Sequence, residues 1–135
     1  MLARATLGLR SDPGTPVRVA LLCPELLFGS KIEGALRAAG HDVRRWDDPD
    51  AVKATVEKGD VLVVDLTDPD LDGASAIARL NEQEALEGVW TLGFYSHVDT
   101  ETKRRAEEAG FHRVVPRSRM AREGPALVEA MAAAP

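Results

Sequence analysis

The chain has 135 residues, 29% of them charged, with a formal net charge of −5, one cysteine and 4% aromatics. That length suits one domain burying about two-thirds of the surface its unfolded chain exposes, and a 44% hydrophobic share is ordinary for a globular fold and too high for a disordered one. The apolar runs, such as Val17–Leu22 and Val61–Val64, fall far short of the roughly 20 residues of a membrane-spanning helix, one cysteine cannot build a disulfide framework, and an acidic balance opposes a nucleic-acid groove.

Residues 1–16 end in Ser11-Asp12-Pro13-Gly14-Thr15-Pro16 and read as a loose leader, since glycine and proline break any regular element. Its opening, Met1–Arg10, lacks the apolar core of a signal peptide, and the lone cysteine suits a reducing cytoplasm. From Val17 the pattern is regular. Val17–Leu22 reads as a buried strand stopped by Pro24. Phe28, Ile32, Ala35, Leu36 and Ala39 recur at helical spacing, closed by Gly40 where a left-handed cap is wanted. His41–Trp46 is a charged strand suited to a sheet edge. Asp48 or Asp50 can cap a short helix over Ala51–Lys58, ended by Gly59. Val61-Leu62-Val63-Val64-Asp65 is the strongest strand, apolar at successive positions as expected where both faces are covered.

Ala74–Leu86 is predicted helical, with Ile77 and Leu80 inward and Gly88 following. Val89–Tyr95 is the next strand and Thr100–Ala109 a very polar helix closed by Gly110. His112–Pro116 is a last short strand, and Arg122–Ala133 a last helix with Leu127, Ala130 and Met131 on one side. Strand–helix alternation with short loops implies an α/β fold, a parallel sheet wrapped by helices on both faces, in a single domain over 17–135.

In such a sheet, reactive groups gather beyond the C-terminal strand ends. Those ends are Cys23-Pro24-Glu25, Asp65, Tyr95-Ser96-His97 and Pro116-Arg117-Ser118. Asp65 stands out as an ionisable residue closing an apolar run, although a strand-exit carboxylate often does no more than accept loop amides. Asp68-Pro69-Asp70-Leu71-Asp72-Gly73 opens like a calcium loop, but the twelfth position is Arg79 rather than glutamate. His41, His97 and His112 lack metal-pair spacing, and Cys23 has no second cysteine. His97 reads as a solvated loop histidine and Cys23 as a buried structural thiol. No glycine-rich phosphate cradle follows the first strand, and Lys103-Arg104-Arg105 with Glu107-Glu108 suits ion pairing on a solvated helix face. Trp90 reads as core and Trp46 as an edge aromatic available for contact.

The segment Asp65-Leu66-Thr67-Asp68-Pro69-Asp70-Leu71-Asp72-Gly73 resembles the loop after the third strand of response-regulator receiver domains, written Asp-Leu-x-x-Pro-x-x-Asp-Gly, whose first Asp accepts a phosphoryl group. Five strand–helix units, the helix end Glu107-Glu108-Ala109-Gly110, and Arg117 as a basic residue seven positions after that glycine agree. The resemblance spans about Val17 to Ala133. It implies a flavodoxin-like, doubly wound five-stranded sheet of order 2-1-3-4-5.

The departures from that family are equally specific. Its two cation-binding acids fall on Cys23 and Pro24, with Glu25 one residue later. Magnesium wants oxygen ligands at about 2.1 Å in an octahedron, so Glu25 would have to reach Asp65 alone. The family's lysine is Arg117, whose forked geometry differs, and Ser118 stands where a proline is usual. The hydroxyl position after the fourth strand falls on Tyr95, or on Ser96 after a one-residue slip, and the aromatic that reports phosphorylation is Val114. Without a metal, an incoming dianion at Asp65 would also meet Asp68, Asp70 and Asp72. Arg117 is expected to form a standing salt bridge with Asp65.

The resemblance therefore implies an atypical, pseudo-receiver module of signal transduction, non-enzymatic and cofactor-free, working through protein contacts. Its expected partner surface is about Thr100–Met131, with a homodimer left open and neither nucleic acid nor membrane as partner. The chain ends at Pro135, about where such a domain closes, so no attached output domain is expected. One alternative is a working receiver phosphorylated on Asp65 with Glu25, Ser96 and Arg117 assisting and magnesium held by Glu25 and Asp65. Another is a small-molecule site in the crevice near Cys23, Asp65 and Ser96.

Overall fold

In the computed structural model the structure describes residues 15–134, so the expected leader lies outside the described residues apart from Thr15 and Pro16. Ten elements alternate: β1 Arg18–Leu22, α1 Leu26–Ala38, β2 Asp42–Trp46, α2 Pro49–Thr55, β3 Val61–Asp65, α3 Gly73–Glu82, β4 Trp90–Tyr95, α4 Thr100–Ala109, β5 Arg113–Pro116 and α5 Arg117–Ala132. The strands form one five-stranded sheet in the order β2-β1-β3-β4-β5, every pair parallel.

Side-chain alternation in the inner strands divides the core into two layers. Val19 and Leu21, Val61 and Val63, and Leu92 and Phe94 face one side, where Ile32 and Leu36 of α1 and Met120, Leu127 and Val128 of α5 cover them. Leu22, Leu62 and Val64 face the other, beneath Val52 of α2, Ile77 and Leu80 of α3 and Ala106 of α4. β3 is buried at all five positions, which is why its sequence reads as an unbroken apolar run.

Helix limits differ from the sequence expectation at three places. α2 stops at Thr55, and α3 stops at Glu82 rather than Leu86. Glu84 takes a left-handed φ of 56°, and Ala85 N–H donates to Leu80 O at 2.9 Å. The chain therefore turns back and buries Leu86 from a loop. α5 begins at Arg117, five residues before the expected start, and runs through Pro125. Fully buried Met120 anchors the turn before Pro125. On α5, Leu127 and Met131 pack inward as expected, joined by Val128, whereas Ala130 is exposed.

Candidate functional site

Strand register assembles the site. Leu22 lies opposite Val64, Asp65 opposite Phe94 and Tyr95 opposite Pro116. Cys23 therefore falls beside Asp65, and Ser96 beside Arg117, all at the C-terminal end of the sheet. Cys23 and Asp65 continue the alternation of Val19–Leu21 and Val61–Val63, so both side chains turn to the α1–α5 side.

Asp65 is 1% exposed, and both of its oxygens have donors. Oδ1 accepts the Thr67 backbone N–H at 2.7 Å and the Thr67 hydroxyl at 2.6 Å, a turn in which a side chain folds back on its own loop. Oδ2 accepts the Cys23 thiol at 3.5 Å. Burial, followed by the neighbouring Asp65 charge and hydrogen bond, pushes the Cys23 thiol up to about 12. Cys23 is thus a protonated donor, with Sγ also 3.8 Å from Glu25 O. A thiol this far from its titration range is no nucleophile, in keeping with its reading as a structural residue.

Glu25 and Arg117 do not engage Asp65. The Glu25 carboxylate caps α1, accepting the N–H groups of Leu27 and Phe28, the latter at 3.1 Å. Arg117 Nη2 pairs with Glu25 Oε1 at 3.5 Å, and its guanidinium lies 4.1 Å over the Phe28 ring. Phe28 in turn tilts against Phe94 at 5.2 Å. The expected Asp65–Arg117 salt bridge is therefore replaced by a Glu25–Arg117–Phe28 stack. The cause is local: helix α1 leaves its first amides unpaired, and Glu25 sits where its carboxylate satisfies them.

An open cleft above Asp65 is lined by Phe28, Thr67, Ser96, His97, Arg117 and Ser118. Ser96 is half-buried on this cleft and His97 exposed, whereas Tyr95 is buried in the core. Of the two candidate hydroxyls after the fourth strand, Ser96 rather than Tyr95 is therefore the one at this cleft. Asp65 itself does not line it. Around the same end stand the exposed large apolar residues Leu26, Leu27 and Val98, outside the Thr100–Met131 span expected to carry the partner surface.

The donor set does not fit a hard divalent cation. Beside Asp65 stand a protonated thiol and Pro24, and Glu25 is committed to α1 and Arg117. Among the described residues no group of three or more His, Cys, Asp or Glu could hold a metal ion. The acids of the 68–72 loop shape the chain instead. Asp68 Oδ1 accepts Asp70 N–H at 2.8 Å. Asp72 caps α3 through Ser75 N–H at 3.1 Å and pairs with Arg105 at 3.1 Å, and hydrogen bonding from Ser75 holds its carboxyl below the usual range.

Three residues of the site escaped sequence reasoning. Thr67 carries a recognisable signal, a hydroxyl two residues after an acid. Phe28 read only as core. Arg45, whose Nη2 donates to Cys23 O at 3.4 Å and Glu25 O at 3.3 Å, comes from a neighbouring strand, and nothing local in the sequence points to it.

No protein-family model matches this sequence, and no curated protein matches it. Solved structures do. The signal receiver domain of NarL from Mycobacterium tuberculosis is 23% identical, covering 87% of this chain and 96% of that one with a TM-score of 0.70. The receiver domain of a sensor histidine kinase from Pseudomonas aeruginosa PAO1, with a magnesium ion coordinated in its active site cleft, is 18% identical over 86% of this chain and 97% of that one, TM-score 0.73. A response regulator from Colwellia psychrerythraea is 15% identical over 87% and 98%, TM-score 0.69. The chain has the fold that these domains share.

Proposed function

We propose that the chain is an atypical receiver module of a signalling system that acts through protein–protein contacts, without obligatory phosphorylation of Asp65. The observation that carries this reading is the state of Asp65: buried, with its oxygens bonded to Cys23 and Thr67, and with no second carboxylate bonded to it among the described residues. Phosphoryl transfer needs its equatorial oxygens neutralised, and a metal ordinarily supplies much of that charge. Here the groups that would hold one are a thiol, a proline and a helix cap.

The rival reading, phosphorylation on Asp65 assisted by Ser96 and Arg117, draws on the convergence of Thr67, Ser96 and Arg117 on one cleft. The same cleft supports a small-molecule site as a third reading. Intact mass after incubation with acetyl phosphate, with and without magnesium, on wild type and Asp65→Asn decides between the first two. The pseudo-receiver reading expects no adduct. A phosphoryl adduct needing both magnesium and Asp65 would sink it.

A further inference from the structure

The sheet ends on β2 at one side and on β5 at the other. β5 has four residues and finishes on Pro116, which has no N–H for another strand. β2 is less protected. Asp42 N–H donates to Val17 O at 3.0 Å, and Trp46 O accepts Cys23 N–H at 3.1 Å. In a parallel ladder alternate residues serve opposite neighbours. Asp42, Arg44 and Trp46 therefore turn their backbone groups to β1, and Val43 and Arg45 turn theirs outward.

One outward group is covered. Arg37 of α1 donates Nη2 to Val43 O at 2.5 Å, and its Nε is held by Glu33 Oε2 at 3.0 Å. An open groove follows the edge, lined by Arg37, Asp42, Val43, Arg44, Arg45 and Trp46; Glu33 pairs with both Arg37 and Arg45, which leaves Arg44 as the groove's uncommitted positive charge in a chain of net charge −5. Arg44 is exposed and forms no ion pair among the described residues. Trp46 Nε1–H is buried with no acceptor among them.

We propose that the open edge of β2 is a strand-addition site for an extended, acidic segment of a partner protein, held closed in the isolated chain by Arg37. Backbone pairing would supply the binding, and carboxylates on the face shared with Arg44 the selectivity. A second copy paired antiparallel about Val43 would set each Arg44 against Asp42 of the other strand, and that occupant is an outcome of the test. The inference is independent of whether Asp65 is phosphorylated.

The test is amide NMR of the full chain titrated with a synthetic hexapeptide of alternating valine and glutamate, with a valine–lysine hexapeptide as control. The acidic peptide should shift the Val43 and Arg45 amides saturably, and the lysine peptide should not. Arg37→Ala should tighten binding about tenfold by freeing Val43 O, whereas Arg37→Gln, which keeps a donor, should stay near wild type. Arg44→Glu, at an exposed position, should weaken binding about tenfold, and it serves if Arg37→Ala fails to fold. Unmoved Val43 and Arg45 amides in wild type and the Arg37 variants would overturn the proposal. So would equal shifts from both peptides, or a dimer of the free chain that protects those amides.

Discussion

At the residue scale, Asp65 is held by two different kinds of donor. Thr67 comes from its own loop and Cys23 from the next strand, so only the latter depends on register. Replacing Cys23 by alanine leaves Oδ2 of a buried carboxylate without its donor, which costs about 1–3 kcal/mol. Cys23→Ser supplies an O–H in nearly the same place and should retain at least half of that. Urea unfolding of the two variants checks this, and equal losses would mean that the thiol acts by filling space alone. The Glu25–Arg117 pair is exposed on both sides, 43% and 45%. Its contribution to stability is therefore small, and its consequence is positional: it holds Arg117 over Phe28 and away from Asp65.

At the element scale, three acids that could be mistaken for ligands are helix caps. Glu25 caps α1, Asp72 caps α3 and Asp99 caps α4 through Thr102 N–H. An N-cap carboxylate satisfies an orphan amide and faces the positive end of the helix dipole. Asp72→Ala should lower stability by about 1 kcal/mol, while Arg105→Ala, which removes an exposed ion pair and an exposed hydrogen bond to Ser75 Oγ, should cost under about 0.5 kcal/mol. Chemical denaturation of both variants distinguishes cap from bridge, and a larger loss from the arginine would reverse the assignment. The helix ends that differ from expectation follow the same logic. A left-handed Glu84 and a buried Met120 set the limits of α3 and α5, and neither is a glycine or cap residue that local reading would flag.

At the scale of the whole molecule, the sheet's two outer pairings are each fastened by a histidine. His41 Nδ1 accepts Val17 N–H at 3.0 Å, and its Nε2 lies 2.8 Å from Glu129 Oε2 on α5. His112 Nδ1 accepts Thr91 N–H at 3.0 Å, and its ring stands edge-on to Trp90 at 4.8 Å. Burial holds His112 below the ordinary imidazole range, so the fold uses its neutral form. The unfolded chain then binds more protons as pH falls below about 6.5. The stability that neutral His112 contributes is present above that value and is lost as pH drops through it. The urea midpoint should decline from about pH 7 to about pH 5, and decline less in His112→Gln. An unchanged slope in the variant would remove His112 as the cause.

Much of this architecture was legible one element at a time. The unbroken run Val61–Val64, the edge character of His41–Trp46, and Thr100–Ala109 closed by Gly110 all carry local signals: burial on both faces, charge on one strand, a left-handed glycine. The prominence of Asp65, and the absence of an acid at Cys23 and Pro24, were likewise plain, because a residue type is visible wherever it folds. Partner choice was not. Whether Arg117 would meet Asp65 or Glu25 depends on where α1 begins and where its unpaired amides point. The Cys23–Asp65 contact depends on the β1–β3 register, and the cover over Val43 on an arginine reaching across from α1. Sequence by itself determined which groups this protein has and the order of its elements, since composition and period are local properties. Only the tertiary structure decided which groups meet, because each of these side chains had more chemically suitable partners than packing brought within reach.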